Sequence, residues 1–134
     1  MLLLLDSSLW IDFTRSRSPV ELKQFIAPWV LDPQACLAEP VRFELLRSAR
    51  PNELNQLEAL FTTVQCLSTP DQLWDQAAEL GRTCLSCGRT VASLDLLVAA
   101  VAIHHQAMVV TFDADFAAIA AVSALQVERL ERPS

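Results

Sequence analysis

Glycine is almost missing from this sequence: Gly81 and Gly88 are the only two in 134 residues. Two isolated glycines cannot build a G-x-G-x-x-G dinucleotide turn or the glycine-rich loop that cradles a nucleotide's phosphates. Lysine is scarcer still, with Lys23 alone, so a P-loop nucleotide hydrolase is excluded twice over. Long apolar runs are lacking too. The longest, residues 96–103 and 116–122, fall well short of the ~18 residues that a membrane-spanning helix needs. Residues 1–5 have the apolar character of a secretion signal but no basic flank, and Asp6 ends the run at once. The expectation is a cytoplasmic protein with no membrane partner. Of the four cysteines, Cys84 and Cys87 form a C-x-x-C with no second pair at zinc-ribbon spacing. Their helical spacing with Leu73, Ala77 and Leu80 reads as buried small side chains. His104 and His105, being adjacent, fall on different helix faces, one toward solvent and one toward the edge of the core.

What is present is an apolar chain, 52% hydrophobic and 19% charged, of a length that suits one domain with a real core. Residues 1–5 read as a strand buried on both faces. Ser7 or Ser8 can cap a helix running to about Arg15, and Pro19 opens another over 20–29. Ala35–Ala38 reads as a short strand, and Pro40 sits at the start of a helix over 41–49 that Pro51 stops. Further helices are expected over 52–63, 70–87 (ended by Gly88) and 94–105 (capped by Ser93). Met108–Thr111 reads as a buried strand, Ala114–Ala121 as a helix and 125–130 as a last strand. Short apolar strands separated by helices indicate an α/β domain with a mainly parallel sheet, whose functional crevice lies at the carboxyl ends of the strands.

Carboxylates collect at those ends. Asp6 directly follows the first strand, and Asp113 and Asp115 follow Met108–Thr111. Asp95 stands in the first turn of an otherwise apolar helix, facing the positive end of its dipole. Glu44 interrupts the apolar residues of 41–49. Singly, each has an ordinary reading: a helix cap for Asp113 or Asp115, a helix-start charge for Asp95, a surface ion pair with Arg42 or Arg47 for Glu44. Their joint placement has none, because clustered carboxylates repel unless a cation sits between them. Oxygen donors without histidine or thiol favour magnesium or manganese.

Three segments carry a family resemblance that spans essentially the whole chain. The opening LLLLDSSLWIDF resembles the D-[ST]-S-x-x-I-D start of PIN-domain ribonucleases, in particular the VapC-type toxins of bacterial toxin–antitoxin pairs. EPVRFELLRSAR resembles their mid-chain helix with its E-L-L. The most specific segment, GRTVASLDLLVAAVAIHHQAMVVTFDADF, is similar to the family's G-x-T-[IV]-x-S-x-D-x-L-I-A-A-x-A followed by V-T-x-D-x-x-F. Val98 stands where isoleucine is usual, and the helical connections between Pro51 and Thr69 show no motif. The resemblance implies a single PIN-like domain over residues 1–134, a three-layer α/β/α arrangement around the sheet. It places the acidic metal site on Asp6, Glu44, Asp95 and Asp113, with Ser8 as an orienting hydroxyl and Asp115 as an accessory acid. It further implies Mg²⁺- or Mn²⁺-dependent hydrolysis of RNA, a homodimer, and a cognate antitoxin that blocks the site.

The net charge of −6 then reflects the site itself, since the remainder without these five acids is close to neutral. Arg15, Arg42 and Arg47 lie near the acids in sequence and are candidates for gripping RNA phosphates. Trp10, Phe13, Trp29, Phe43 and Phe61 are candidates for an antitoxin-facing surface, each with a core position as the alternative. A receiver-type phosphoacceptor would need a lysine late in the chain, and a dehalogenase-type phosphatase a D-x-D where Asp6-Ser7-Ser8 stands; neither fits. The remaining rival is a PIN fold that binds a protein or RNA without turnover.

Overall fold

Leu4 and Leu5 have no exposure to solvent, as a strand covered on both faces requires. In the computed structural model, which describes residues 1–133, they form β1 (Leu3–Leu5), the middle strand of the sheet. After β1 come α1 (Ser7–Thr14), α2 (Val20–Val30), β2 (Ala35–Ala38), α3 (Glu39–Ser48) and α4 (Leu54–Thr63). The second half holds β3 (Gln65–Leu67), α5 (Gln72–Ser86), α6 (Ser93–His105), β4 (Met108–Thr111), α7 (Ala114–Ala121) and β5 (Gln126–Arg129). The five strands run in the order β3-β2-β1-β4-β5, and every pairing is parallel.

The chain therefore winds outward from β1 to β3, returns across the sheet, and winds the other way through β4 and β5. Right-handed crossovers put the helices of the two halves on opposite faces. Accordingly α1 packs with α2 and α3 on one side, while α5, α6 and α7 pack together on the other. This is the three-layer α/β/α arrangement, and the strand order reverses between β1 and β4, the point where such sheets open a crevice.

α6 shows why the core is so apolar. Residues 96–102 are all buried, so the helix is enclosed on every side, and its charged and titratable groups stand only at its ends. Asp95 occupies the first turn and His104 and His105 the last, each suited to the dipole at its end. His104 is exposed, while His105 packs inward and its Nε2 meets the Ser68 carbonyl at 2.9 Å. Gly81 lets α5 lie close on this helix, since a Cβ there would stand 2.9 Å from Leu96 Cδ1.

Several local expectations need correction. Asp6, not Ser7 or Ser8, caps α1, because its carboxylate accepts the Ser8 N–H and so takes the orphan donor itself. Ser93 is the first residue of α6 and not its cap; Ala92 holds that position without a side-chain bond. Cys84 is buried, but Cys87 has left the helical face at the C-cap and is exposed. β3 was not expected: as an edge strand with Gln65 and Cys66 exposed it carries no apolar signal. Trp10 is entirely buried and Phe13, Trp29 and Phe61 are partly so, which leaves Phe43 as the exposed member of that set.

The Trp10 indole N–H donates to the carbonyl of Leu5 at 3.1 Å, tying α1 to the end of β1 one residue before Asp6. Trp10→Phe loses this bond and part of a packed ring in a dry site. It is expected to lower unfolding stability by about 1–3 kcal/mol, read by urea denaturation.

Candidate active site

Asp6 leaves β1 at the sheet's centre and is only 7% exposed. Both of its oxygens accept hydrogen bonds. Oδ1 accepts from Ser8 N at 2.7 Å and from Ser8 Oγ at 2.5 Å, and Oδ2 accepts from Thr111 Oγ1. Burial raises the Asp6 pKa above its ordinary value; the bonds from Ser8 and Thr111 oppose that rise, and the neighbouring Asp113 adds to it. A buried carboxylate without such donors would be far more costly.

Thr111, the last residue of β4, is itself fully buried. Its hydroxyl donates to Asp6 and accepts the backbone N–H of Asp113 at 2.9 Å, so one side chain sets the relation between the two strand ends. Thr111 stood within the V-T-x-D segment of the sequence, but its role was not legible there. Only the adjacency of β1 and β4 brings a residue at position 111 onto one at position 6.

Asp113 caps α7, with Oδ1 accepting from Asp115 N at 2.9 Å. One oxygen each from Asp95, Asp113 and Asp115 lies within 4.8 Å of the others. Asp95 reaches this group from the first turn of α6. Burial, followed by the charges of Asp113, Glu44, Asp6 and Asp115, pushes its pKa up to about 7. Glu44 arrives on α3, which meets α6. Its pKa is raised by burial and by Asp6, against the lowering effects of Arg47 and of the Ser7 hydroxyl. Ser7 is a second contact that the sequence did not single out.

Asp95 therefore stands within electrostatic reach of the other four acids named from sequence, the five being contributed by two strand ends and three helices. The donor set is oxygen alone, its carboxylates repel one another, and its local cations are few. Such a group fits a hard divalent cation. Among the three arginines named from sequence, Arg47 is the one near the acids through Glu44. Arg42 lies over the Phe61 ring at 5.0 Å, and Arg15 lies at the far end of α1 beside Leu45, Glu53 and Leu57. The arginine bonded into the cluster is Arg89, whose Nε and Nη2 donate to Asp115 Oδ1 at 3.0 and 2.7 Å.

The chain is similar to known proteins along nearly its whole length. The PIN domain family model matches residues 3–122. Ribonuclease VapC11 of Mycobacterium tuberculosis is 34% identical over 131 residues, covering 93% of this chain and 96% of that protein. Among solved structures, VapBC2 from Rickettsia felis, bound to a DNA fragment from its promoter, superposes with a TM-score of 0.74 at 15% identity, covering 98% of this chain and all of that one. VapC20 of Mycobacterium tuberculosis, described as a sarcin–ricin-loop cleaving toxin, superposes with a TM-score of 0.67 at 19% identity, covering 98% of this chain and 99% of that one. With family match, relative and fold in agreement over nearly its whole length, the chain belongs to the PIN-domain family and, within it, to the VapC ribonucleases.

Proposed function

We propose that this protein hydrolyses RNA phosphodiester bonds with Mg²⁺, or Mn²⁺ in its place, held by Asp6, Glu44, Asp95 and Asp113, with Ser8 and Asp115 as accessory groups. The observation that carries this reading is the convergence of these carboxylates at the β1/β4 crevice, with raised pKa values at Asp6, Glu44 and Asp95 and no histidine or cysteine among them. A bound divalent cation supplies activation of a water and stabilisation of the charge that develops on the leaving oxygen. The chain's own contribution is placement. Ser8 and Thr111 aim both oxygens of Asp6, and Thr111 ties Asp113 to the same frame. Asp95 is carried on a helix whose burial fixes its axis.

The cognate partner in this proposal is an antitoxin protein, and the working unit is a homodimer in the cytoplasm. Support for a protein-binding face comes from an exposed apolar groove beside the site, where Phe43, Trp74 and Leu94 line a depression with Pro40 and Leu97. Phe43 and Leu94 immediately precede Glu44 and Asp95. A partner seated there would cover the carboxylates. Four unpaired thiols are in keeping with a reducing compartment.

Thermal melting tests the metal site directly. At about tenfold excess of Mg²⁺ over its Kd, linkage gives about 1.4 kcal/mol of stabilisation in the wild type. Asp95→Asn is expected to show none of it; a rise equal to wild type would place the ion elsewhere, and no rise in either protein would favour a binding module without turnover.

Loss of a residue that merely supports a metal ligand costs about 10–100-fold, so loss of a ligand exceeds this. Asp6→Asn and Asp95→Asn are each expected to cut RNA cleavage by more than about 100-fold, and Thr111→Val by about 10–100-fold. Wild-type rates in the two aspartate variants would show that the site is misassigned.

Metal-free stability should depend on pH with a definite sign. Asp95 titrates at 3.8 ordinarily and at about 7 in the fold, so the native state binds more protons across that interval. The contribution is fully present below the lower value and is lost as pH rises through the upper one. Denaturation in EDTA is expected to show wild type weakening between about pH 4 and pH 7 more than Asp95→Asn does. Equal pH slopes in the two proteins would contradict the placement of Asp95.

A further inference from the structure

The proposed chemistry leaves one cation of the site without a task. Arg89 follows Gly88, and its position is set by the end of α5. Gly88 adopts φ +82°, its N–H donates to Leu85 O at 2.9 Å, and the Arg89 N–H donates to Cys84 O at 2.9 Å. These two bonds are the Schellman closure, which left-handed glycine permits at no steric cost. The backbone of Arg89 is thereby anchored to a long helix, although the residue lies in the connection to α6. From there its side chain reaches Asp115 across 26 positions of sequence.

The form of that contact matters. A fork-to-fork pair would engage both carboxylate oxygens, whereas Arg89 places Nε and Nη2 on the single atom Asp115 Oδ1. A guanidinium has five N–H donors, and this arrangement engages two of them. The side chains are 46% and 27% exposed, so the pair stands at the rim of the cluster and its remaining donors can meet a solute. As a surface ion pair it would contribute little to stability. As a fixed fork beside a group of acids it supplies what an RNA strand needs there, because the phosphates flanking the cleaved bond otherwise meet mostly negative charge.

We propose that Arg89 is a substrate-positioning residue that binds an RNA phosphate neighbouring the cleaved one, with Asp115 holding its guanidinium in place. This rests on the ribonuclease reading above. Arg89 acts on the strand by charge-assisted hydrogen bonds, and Arg89→Lys, which keeps the charge without the fork, retains only the electrostatic part.

The test is binding of a fluorescent 20-nucleotide single-stranded RNA of mixed sequence to full-length protein in the cleavage-impaired Asp95→Asn background, followed between 50 and 200 mM salt. One lost phosphate contact lowers the slope of log K against log salt by about 0.7 for a single strand. Arg89→Gln is expected to weaken binding and lower the slope by about that amount, while Arg89→Lys keeps the slope and binds less tightly than the parent. In the wild-type background, the Mg²⁺-induced rise in melting temperature should survive Arg89→Gln. If Arg89→Gln changes the melting temperature but leaves both RNA affinity and salt slope as in the parent, Arg89 is only a clasp between the α5–α6 connection and α7, and the proposal is wrong. A parent protein that melts normally yet binds no RNA would overturn the ribonuclease reading itself, and the role of Arg89 with it.

Discussion

A carboxylate taken out of water at the end of the central strand is the constraint on which this structure turns. Asp6 is 7% exposed, and an isolated buried charge would simply take up a proton. Its surroundings answer with donors of different origin: the backbone and hydroxyl of Ser8 from the first turn of α1, and the hydroxyl of Thr111 from the end of β4. The same bonds perform three tasks. They cap α1, they join the two strands at the point where the sheet reverses its order, and they hold both oxygens of Asp6 in a fixed direction.

The remaining acids are arranged against one another's charge. Asp95 at the start of α6 and Glu44 on α3 are brought to a place where burial and like charges both favour protonation. No packing benefit explains a carboxylate at the head of a helix as apolar as α6; the surrounding core has to tolerate it. It does so through scale, since β1, β2, β4 and α6 together form a continuous buried cluster to which the site is attached at one end. Repulsion held in place by a stable scaffold is how a protein creates demand for a divalent cation. It also explains why a chain with net charge −6 can belong to a family that acts on a polyanion.

Much of the fold was legible because its signals are local. β1, β2 and β4 are short runs buried on both faces, and the helices between them carry proline, glycine or apolar spacing at their ends. β3 escaped because an edge strand needs no apolar residues, and Gln65 and Cys66 are exposed. The caps of α1 and α6 were misread for a different reason. At α1 the Asp6 carboxylate takes the orphan N–H of Ser8, and at α6 the cap position falls on Ala92, one residue before Ser93. Cys87 followed the helical spacing in sequence but lies at the cap, where the spacing no longer applies.

For the site, the sequence determined which residues bear charge, that Asp6, Glu44, Asp95, Asp113 and Asp115 interrupt or end apolar segments, and which family those segments resemble. These are properties of composition and short-range order, and they survive without a fold. Tertiary structure alone decided that Thr111 bridges Asp6 and Asp113, that Ser7 stands by Glu44, and that Arg89 rather than Arg15 or Arg42 is bonded into the acidic group. These contacts join positions tens of residues apart, and their distances are set by strand order and helix packing. A 2.7 Å bond between Arg89 and Asp115 exists only once α5, α6 and α7 have stacked on one face of the sheet.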